Sequence, residues 1–119
     1  MSLCVLAAGR TAVLAAEIFT LSWTHSVEKV EWREMWRVSP AGLRILEARV
    51  KGSGAGMEPP PDARFENGWW VYVPSLRTVP ELRLAASGAT GGGWRLCAGG
   101  SCRGLGTEPG EPVVLKPCR

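Results

Sequence analysis

Histidine is almost missing from this chain: His25 is the single one among 119 residues. That removes a histidine-rich metal site from consideration, because common structural and catalytic zinc sites draw on several His or Cys ligands at short spacing. Long apolar runs are missing too. The N-terminal run Leu3–Ala8 is broken by Gly9-Arg10-Thr11 before Ala12–Ala16 resumes it. A membrane helix needs about 20 apolar residues, and a secretory leader needs a basic start followed by an unbroken apolar stretch of roughly 7–15. No block of one charge sign is present. Fourteen Lys and Arg against eleven Asp and Glu leave a net charge of +3. The basic residues are scattered and lack a stacking motif, so the reading is no nucleic acid partner. Nor is there a basic amphipathic segment that would lie on a membrane surface.

Sustained helical periodicity is also lacking, whereas fifteen glycines and nine prolines punctuate the chain. Frequent turns between short alternating runs predict an all-β domain over residues 1–119, a small antiparallel β-sandwich or barrel of about nine strands. Leu3–Ala7 and Thr11–Ala15 form an expected hairpin around Ala8-Gly9-Arg10. Ile18–Thr24, Glu28–Val38 and Leu43–Lys51 follow, the last two joined by the turn Ser39-Pro40-Ala41-Gly42. Alternation places Phe19, Leu21, Trp23 and His25 on one face of the first of these. In the second, Glu28, Val30, Trp32, Glu34, Trp36 and Val38 share a face. Opposing Val30 to Val50, Trp32 to Ala48 and Glu34 to Leu46 gives one apolar face, with Leu43 and Ile45 out of phase. That mismatch predicts a bulge near Arg44–Leu46. Trp69–Val73, Leu82–Ser87, Gly93–Cys97, Ser101–Gly104 and Val113–Lys116 complete the strands, and Asp62–Gly68 is read as loop. The expected core is Leu21, Trp23, Val30, Trp32, Trp36 and Val50.

Three constellations carry chemical interest. His25 ends an otherwise apolar strand face beside Ser26 and Glu28. An imidazole there can bind an anion or pair with Glu28 or Glu58, and in its plainest role it caps the sheet edge. Ser26 next to His25 is not a triad, whose members converge from separate elements, so no catalytic residue is assigned. Glu34 lies between two tryptophans on the apolar face and needs a partner or an abnormal titration. The expected partner is Arg49 on the return strand, as a buried ion pair. The loop Gly52-Ser53-Gly54-Ala55-Gly56-Met57-Glu58 has three alternating glycines, with Arg49 and Lys51 upstream. Successive N–H groups of such a loop can cradle a carboxylate or phosphate. It is neither a phosphate-binding loop of the Gly-Lys-Ser/Thr type nor a dinucleotide fingerprint. Of the adjacent Trp69 and Trp70, alternation sends one to the core and the other to an interface.

Four cysteines are present. Cys97 and Cys102 flank a Gly-rich turn at a spacing that suits a hairpin disulfide. A zinc half-site is the rival, without a second half nearby, so no metal is assigned. Cys4 and Cys118 would close a second bridge if the terminal strands are neighbours. Paired cysteines point to an oxidising compartment, and the missing export signal points to the cytoplasm. A trimmed leader would leave the same chain in the periplasm, and localisation stays open between the two.

The strings FTLSWTHSVEKVEWRE, EARVKGSGAGMEPPPDA, GWW and LCAGGSC resemble the signature of a small bacterial family known as domain of unknown function 1850. The resemblance runs from about Leu3 to Leu105. Members of that family are commonly encoded beside, or fused to, the permease of TRAP-type transporters that use TAXI substrate-binding proteins. It therefore implies a transport-associated accessory domain, with the TRAP-type permease or its binding protein as partners, and supplies no ligand; together with the constellations above, the expectation is a non-enzymatic accessory or ligand-binding domain that takes a small anionic ligand. It implies no cofactor. The expected ligand-binding residues are His25, Ser26, Glu28, Arg49, Lys51, Ser53, Gly54 and Glu58. The alternative is a small hydrolase or metal-dependent enzyme using His25 with Glu28 or Glu58.

Overall fold

The computed structural model describes residues 1–24, 30–52, 60–86 and 93–118. Among these the chain forms eleven strands and no helix: β1 (Ser2–Ala7), β2 (Arg10–Leu14), β3 (Ile18–Thr24), β4 (Glu31–Ser39), β5 (Gly42–Lys51), β6 (Arg64–Glu66), β7 (Trp69–Tyr72), β8 (Leu82–Ala86), β9 (Trp94–Ala98), β10 (Ser101–Leu105) and β11 (Gly110–Cys118). They build two antiparallel sheets packed as a sandwich, one of four strands in the order β2-β1-β11-β8 and one of seven in the order β10-β9-β3-β4-β5-β7-β6. Residues 64–66, read from sequence as loop, form a short edge strand instead, because they pair with β7 across the Asn67-Gly68 turn. The last strand is also longer than expected, since β11 lies between β1 and β8 and is paired along both edges.

Turn chemistry explains the local pairing. Ala8-Gly9, Asn67-Gly68 and Gly99-Gly100 all adopt positive φ at both positions. Two consecutive left-handed residues match the right-handed twist of flanking strands, which makes a two-residue turn the preferred closure. Gly42 is required for another reason. Its φ is +132°, and a Cβ there would collide with the Val79 carbonyl. That carbonyl accepts the Leu43 N–H at 2.7 Å, while Val79 N–H donates back to Leu43 at 2.9 Å.

The pairing of β4 with β5 corrects the register read from sequence. Trp32 faces Val50, Glu34 faces Ala48 and Trp36 faces Ile45, with Ser39 opposite Gly42 and a shift between Met35 and Trp36. The two-residue closure at Pro40-Ala41 dictates the partners nearest the turn, and one extra residue, Leu46, displaces those beyond it. The bulge is where the phase mismatch put it. Its effect is that Leu43 and Ile45 on one side, and Ala48 and Val50 on the other, all point inward and are buried.

The core forms where the sheets face each other. Leu3, Val5, Val113 and Leu115 of the four-stranded sheet meet Phe19, Leu21, Trp36, Val38, Ile45 and Leu96 of the larger one. Each fully buried aliphatic side chain contributes roughly 1.5–3 kcal/mol. Trp23 packs against this cluster from its margin, while Val30 and Trp32 are half-buried rather than central.

Both disulfides form, Cys97–Cys102 and Cys4–Cys118. Cys97 and Cys102 are direct partners across the β9–β10 hairpin. Cys4 and Cys118 meet because β1 and β11 are neighbours, with Ser2 opposite Cys118 and Cys4 opposite Lys116. In each sheet the inward positions are apolar (Leu3 and Val5, Leu96), so alternation puts both bridges on the outer faces.

Candidate functional site

Of the residues expected to bind a ligand, His25, Ser26, Glu28, Ser53, Gly54 and Glu58 lie outside the described residues. The strand ends that flank them are described. Thr24 pairs with Glu31, and Trp32 pairs with Val50 close to the end of β5. The described strand ends Thr24, Glu31 and Lys51 therefore lie at the same end of the seven-stranded sheet.

That end carries an aromatic row on the inner face. Leu105 faces Trp94, Trp23 faces Trp32, Trp32 faces Val50, Val50 faces Trp70, and Trp70 faces Phe65. Trp23 and Trp94, on adjacent strands, bring their rings to 4.8 Å and complete the row. Trp23 and Trp32 stack nearly parallel at 6.1 Å, and Phe65 meets Trp70 edge-on at 5.0 Å. Cross-strand aromatic pairs each contribute roughly 0.2–1 kcal/mol, so part of this tryptophan usage is structural.

Arg49 and Lys51 point to the opposite, outer face. Arg33 on β4 and Arg49 on β5 are direct cross-strand partners. Each is held by a carboxylate two residues away on its own strand, Arg33 by Glu31 and Arg49 by Glu47, both at 2.8 Å. The expected Glu34–Arg49 ion pair does not form. Alternation separates the two residues onto opposite faces, and Glu47 stands on the same face as Arg49 and nearer to it. Around the two arginines lies a cleft of about 220 Å³ lined by Thr20, Arg33, Glu34, Met35, Glu47 and Arg49. The Glu34 side chain takes the Trp36 indole N–H. Lys51 and Arg33 each sit over the Trp69 ring, at 4.7 and 4.6 Å from its centroid. Trp69 is thereby covered on the outer face, and Trp70 is the one that joins the inner row.

Sequence reasoning left Glu34, Trp36 and Tyr72 out of the site. Trp36 Nε1 donates to Glu34 Oε1 at 3.1 Å. Burial pushes the Glu34 carboxyl above its ordinary range, and the indole hydrogen bond offsets part of that shift. Burial likewise raises the Tyr72 phenol, and the negative charge of Glu34 raises it further. Tyr72 faces Ala48, which faces Glu34, so the two titratable groups stand either side of an alanine. The visible signal was the carboxylate between two tryptophans; what the pattern lacked was the partner strand. Among the described residues no three His, Cys, Asp or Glu side chains gather as a metal would require.

A family model described as Domain of unknown function (DUF1850) matches residues 19–105. Comparison with curated proteins and with solved structures gives no match.

Proposed function

The chain belongs to the DUF1850 family, and from that premise we propose that it is a non-enzymatic accessory domain of a TRAP-type transporter of the TAXI class, binding a small anion in the Arg33–Arg49 cleft. The observation that carries the reading is the direct opposition of these two arginines across β4 and β5. Like charges placed opposite one another oppose sheet pairing, and a bound carboxylate relieves that repulsion. Guanidinium groups present paired N–H donors that match a carboxylate in the plane. Their present partners, Glu31 and Glu47, are no obstacle. Arg33 and Arg49 keep about two-fifths of their side-chain surface in solvent, and exposed pairs of this kind contribute only about 0.2–1 kcal/mol. Thr20 adds a hydroxyl and Met35 an apolar wall. The two disulfides favour an oxidising compartment, the periplasm in a bacterium.

A thermal-shift screen against small carboxylates and amino acids tests the ligand, with at least one expected to raise the melting temperature. Arg49→Ala is expected to abolish that rise while leaving the fold intact. A response that survives Arg49→Ala and Arg33→Ala together would remove the cleft from consideration. The transporter association is tested by co-isolation with the permease from membranes, and its clean absence there would sink that part of the proposal.

A further inference from the structure

The outer face of the seven-stranded sheet gathers charge that no single segment of the chain carries. Two rows cross it. One runs Arg95–Ser22–Arg33–Arg49 over β9, β3, β4 and β5, and the other runs Ile18–Arg37–Arg44 over β3, β4 and β5. Cross-strand partners share a face, so these arginines point the same way, opposite to the buried Leu21, Trp36, Ile45 and Leu96. Arg33 and Arg49 are matched by Glu31 and Glu47. Arg37, Arg44 and Arg95 are exposed, and none of the ion pairs among the described residues involves them. Three unmatched arginines on one face equal the net charge of +3 of the whole chain, so the remainder of the molecule, taken together, is balanced. Arg37 and Arg44 stand directly opposite each other, an arrangement that opposes sheet pairing unless an anion lies over it. Two apolar side chains stand among these cations in solvent. Ile18, beside Arg37, is 41% exposed, and Met35, between Arg33 and Arg37 along β4, is 36% exposed.

We infer that this face docks on an anionic lipid surface, with Arg37, Arg44 and Arg95 against the phosphate groups and Ile18 and Met35 reaching into the layer beneath them. Each Lys or Arg held close to an anionic bilayer adds to the attraction, which acts within about a Debye length of the surface. A guanidinium group meets a phosphate through two parallel N–H donors. Its stem can lie along apolar surface while its head stays at the charged layer. A lipid surface suits this face better than the fixed acidic face of a second protein does. The two arginine rows are unevenly filled, and headgroups are mobile enough to gather under each guanidinium. Exposed apolar side chains beside cations also match the boundary between headgroups and acyl chains, where amphipathic surfaces settle. The Arg33–Arg49 cleft opens on the same face, but Arg37 and Arg44 do not line it.

Co-sedimentation of the full chain with vesicles of two parts phosphatidylcholine to one part phosphatidylglycerol, beside vesicles of phosphatidylcholine alone, tests the inference. Binding is expected to the first and not to the second, and is expected to weaken at least about tenfold between roughly 0.05 and 0.5 M sodium chloride. Arg37→Glu with Arg44→Glu is expected to weaken it at least about tenfold. Arg83→Glu with Lys116→Glu changes the net charge equally, but on the outer face of the other sheet, where Arg83 faces Val114 and Lys116 faces Cys4. That pair is expected to lose less than about threefold, because charge on the far side is screened. The Arg37/Arg44 variant is also expected to keep the thermal-shift response of the Arg33–Arg49 cleft, so the two sites stand or fail separately. Absence of binding to the anionic vesicles would overturn the inference, as would equal binding to both kinds of vesicle or equal losses in the two double variants. Should circular dichroism show that Arg37→Glu with Arg44→Glu does not fold, Arg37→Gln with Arg44→Gln takes its place, and wild-type affinity there overturns the inference equally.

Discussion

The two faces of β4 solve the problem of charge in opposite ways. On the outer face Arg33 is matched by Glu31, and its neighbour Arg49 by Glu47, through contacts of 2.8 Å that solvent reaches. On the inner face Glu34 receives a neutral indole N–H and its charge is felt by the Tyr72 phenol. The outer arrangement is cheap to rearrange, because water and salt screen each pair. The inner one holds its carboxyl away from its ordinary titration, because burial penalises the charged form. Glu31 and Glu34 are three positions apart, and the side of the sheet distinguishes them. The outer faces also carry both disulfides, so covalent closure and exchangeable charge share one side while packing dominates the other.

The largest expected effect tests the covalent side of this contrast. Cys4–Cys118 spans a sequence separation of 114 and Cys97–Cys102 one of 5. In the chain-entropy picture the first contributes about 5 kcal/mol and the second about 2 kcal/mol. Cys4→Ser with Cys118→Ser should lower the urea midpoint far more than Cys97→Ser with Cys102→Ser; equal losses would show that loop closure is not what the terminal bridge supplies. Next comes the packed side. Trp36 is 2% exposed, and Trp36→Ala is expected to cost about 3–5 kcal/mol by calorimetry or denaturant unfolding.

The third expected outcome concerns pH. Because burial makes the Glu34 carboxyl titrate higher in the folded state than an ordinary glutamate does, the folded state holds more protons than the unfolded chain between the ordinary and the raised value. Its contribution favours folding below about that ordinary value and is lost as pH rises through the raised one. Glu34→Gln should flatten this part of the stability–pH curve. Trp36→Phe, which removes the indole donor, should move the window further up. A curve unchanged by Glu34→Gln would contradict the inner-face account. The smallest effect belongs to the outer face: Arg49→Ala should change stability by less than about 1 kcal/mol, with the difference shrinking in high salt.

Much of the fold was legible in residue order. Alternation at Phe19, Leu21 and Trp23 and at Trp32, Glu34, Trp36 and Val38 identifies strands with one buried face. Ala8-Gly9 and Asn67-Gly68 mark turns because few residues tolerate positive φ. The need for a bulge in β5 was visible as a phase error between Ile45 and Ala48. Less of the candidate site could be read. Arg49 and Lys51 were noticed, yet Arg33 was not, since its importance comes from standing opposite Arg49. Glu34 was noticed and given the wrong partner.

Residue order alone thus determined most of the strands, the short edge strand Arg64–Glu66 excepted, together with where they turn and which side of each is apolar, since these depend on neighbours within a few positions. The tertiary structure decided the rest. The two-residue closure at Pro40-Ala41 and the extra Leu46 set which residues meet across β4 and β5. Placing β11 beside β1 brought Cys4 to Cys118. The two sides of the sheet gave Arg49 to Glu47 and Glu34 to Trp36. Each of these is a contact between residues whose separation in space depends on how strands are ordered and aligned, and a one-residue change of register would undo it.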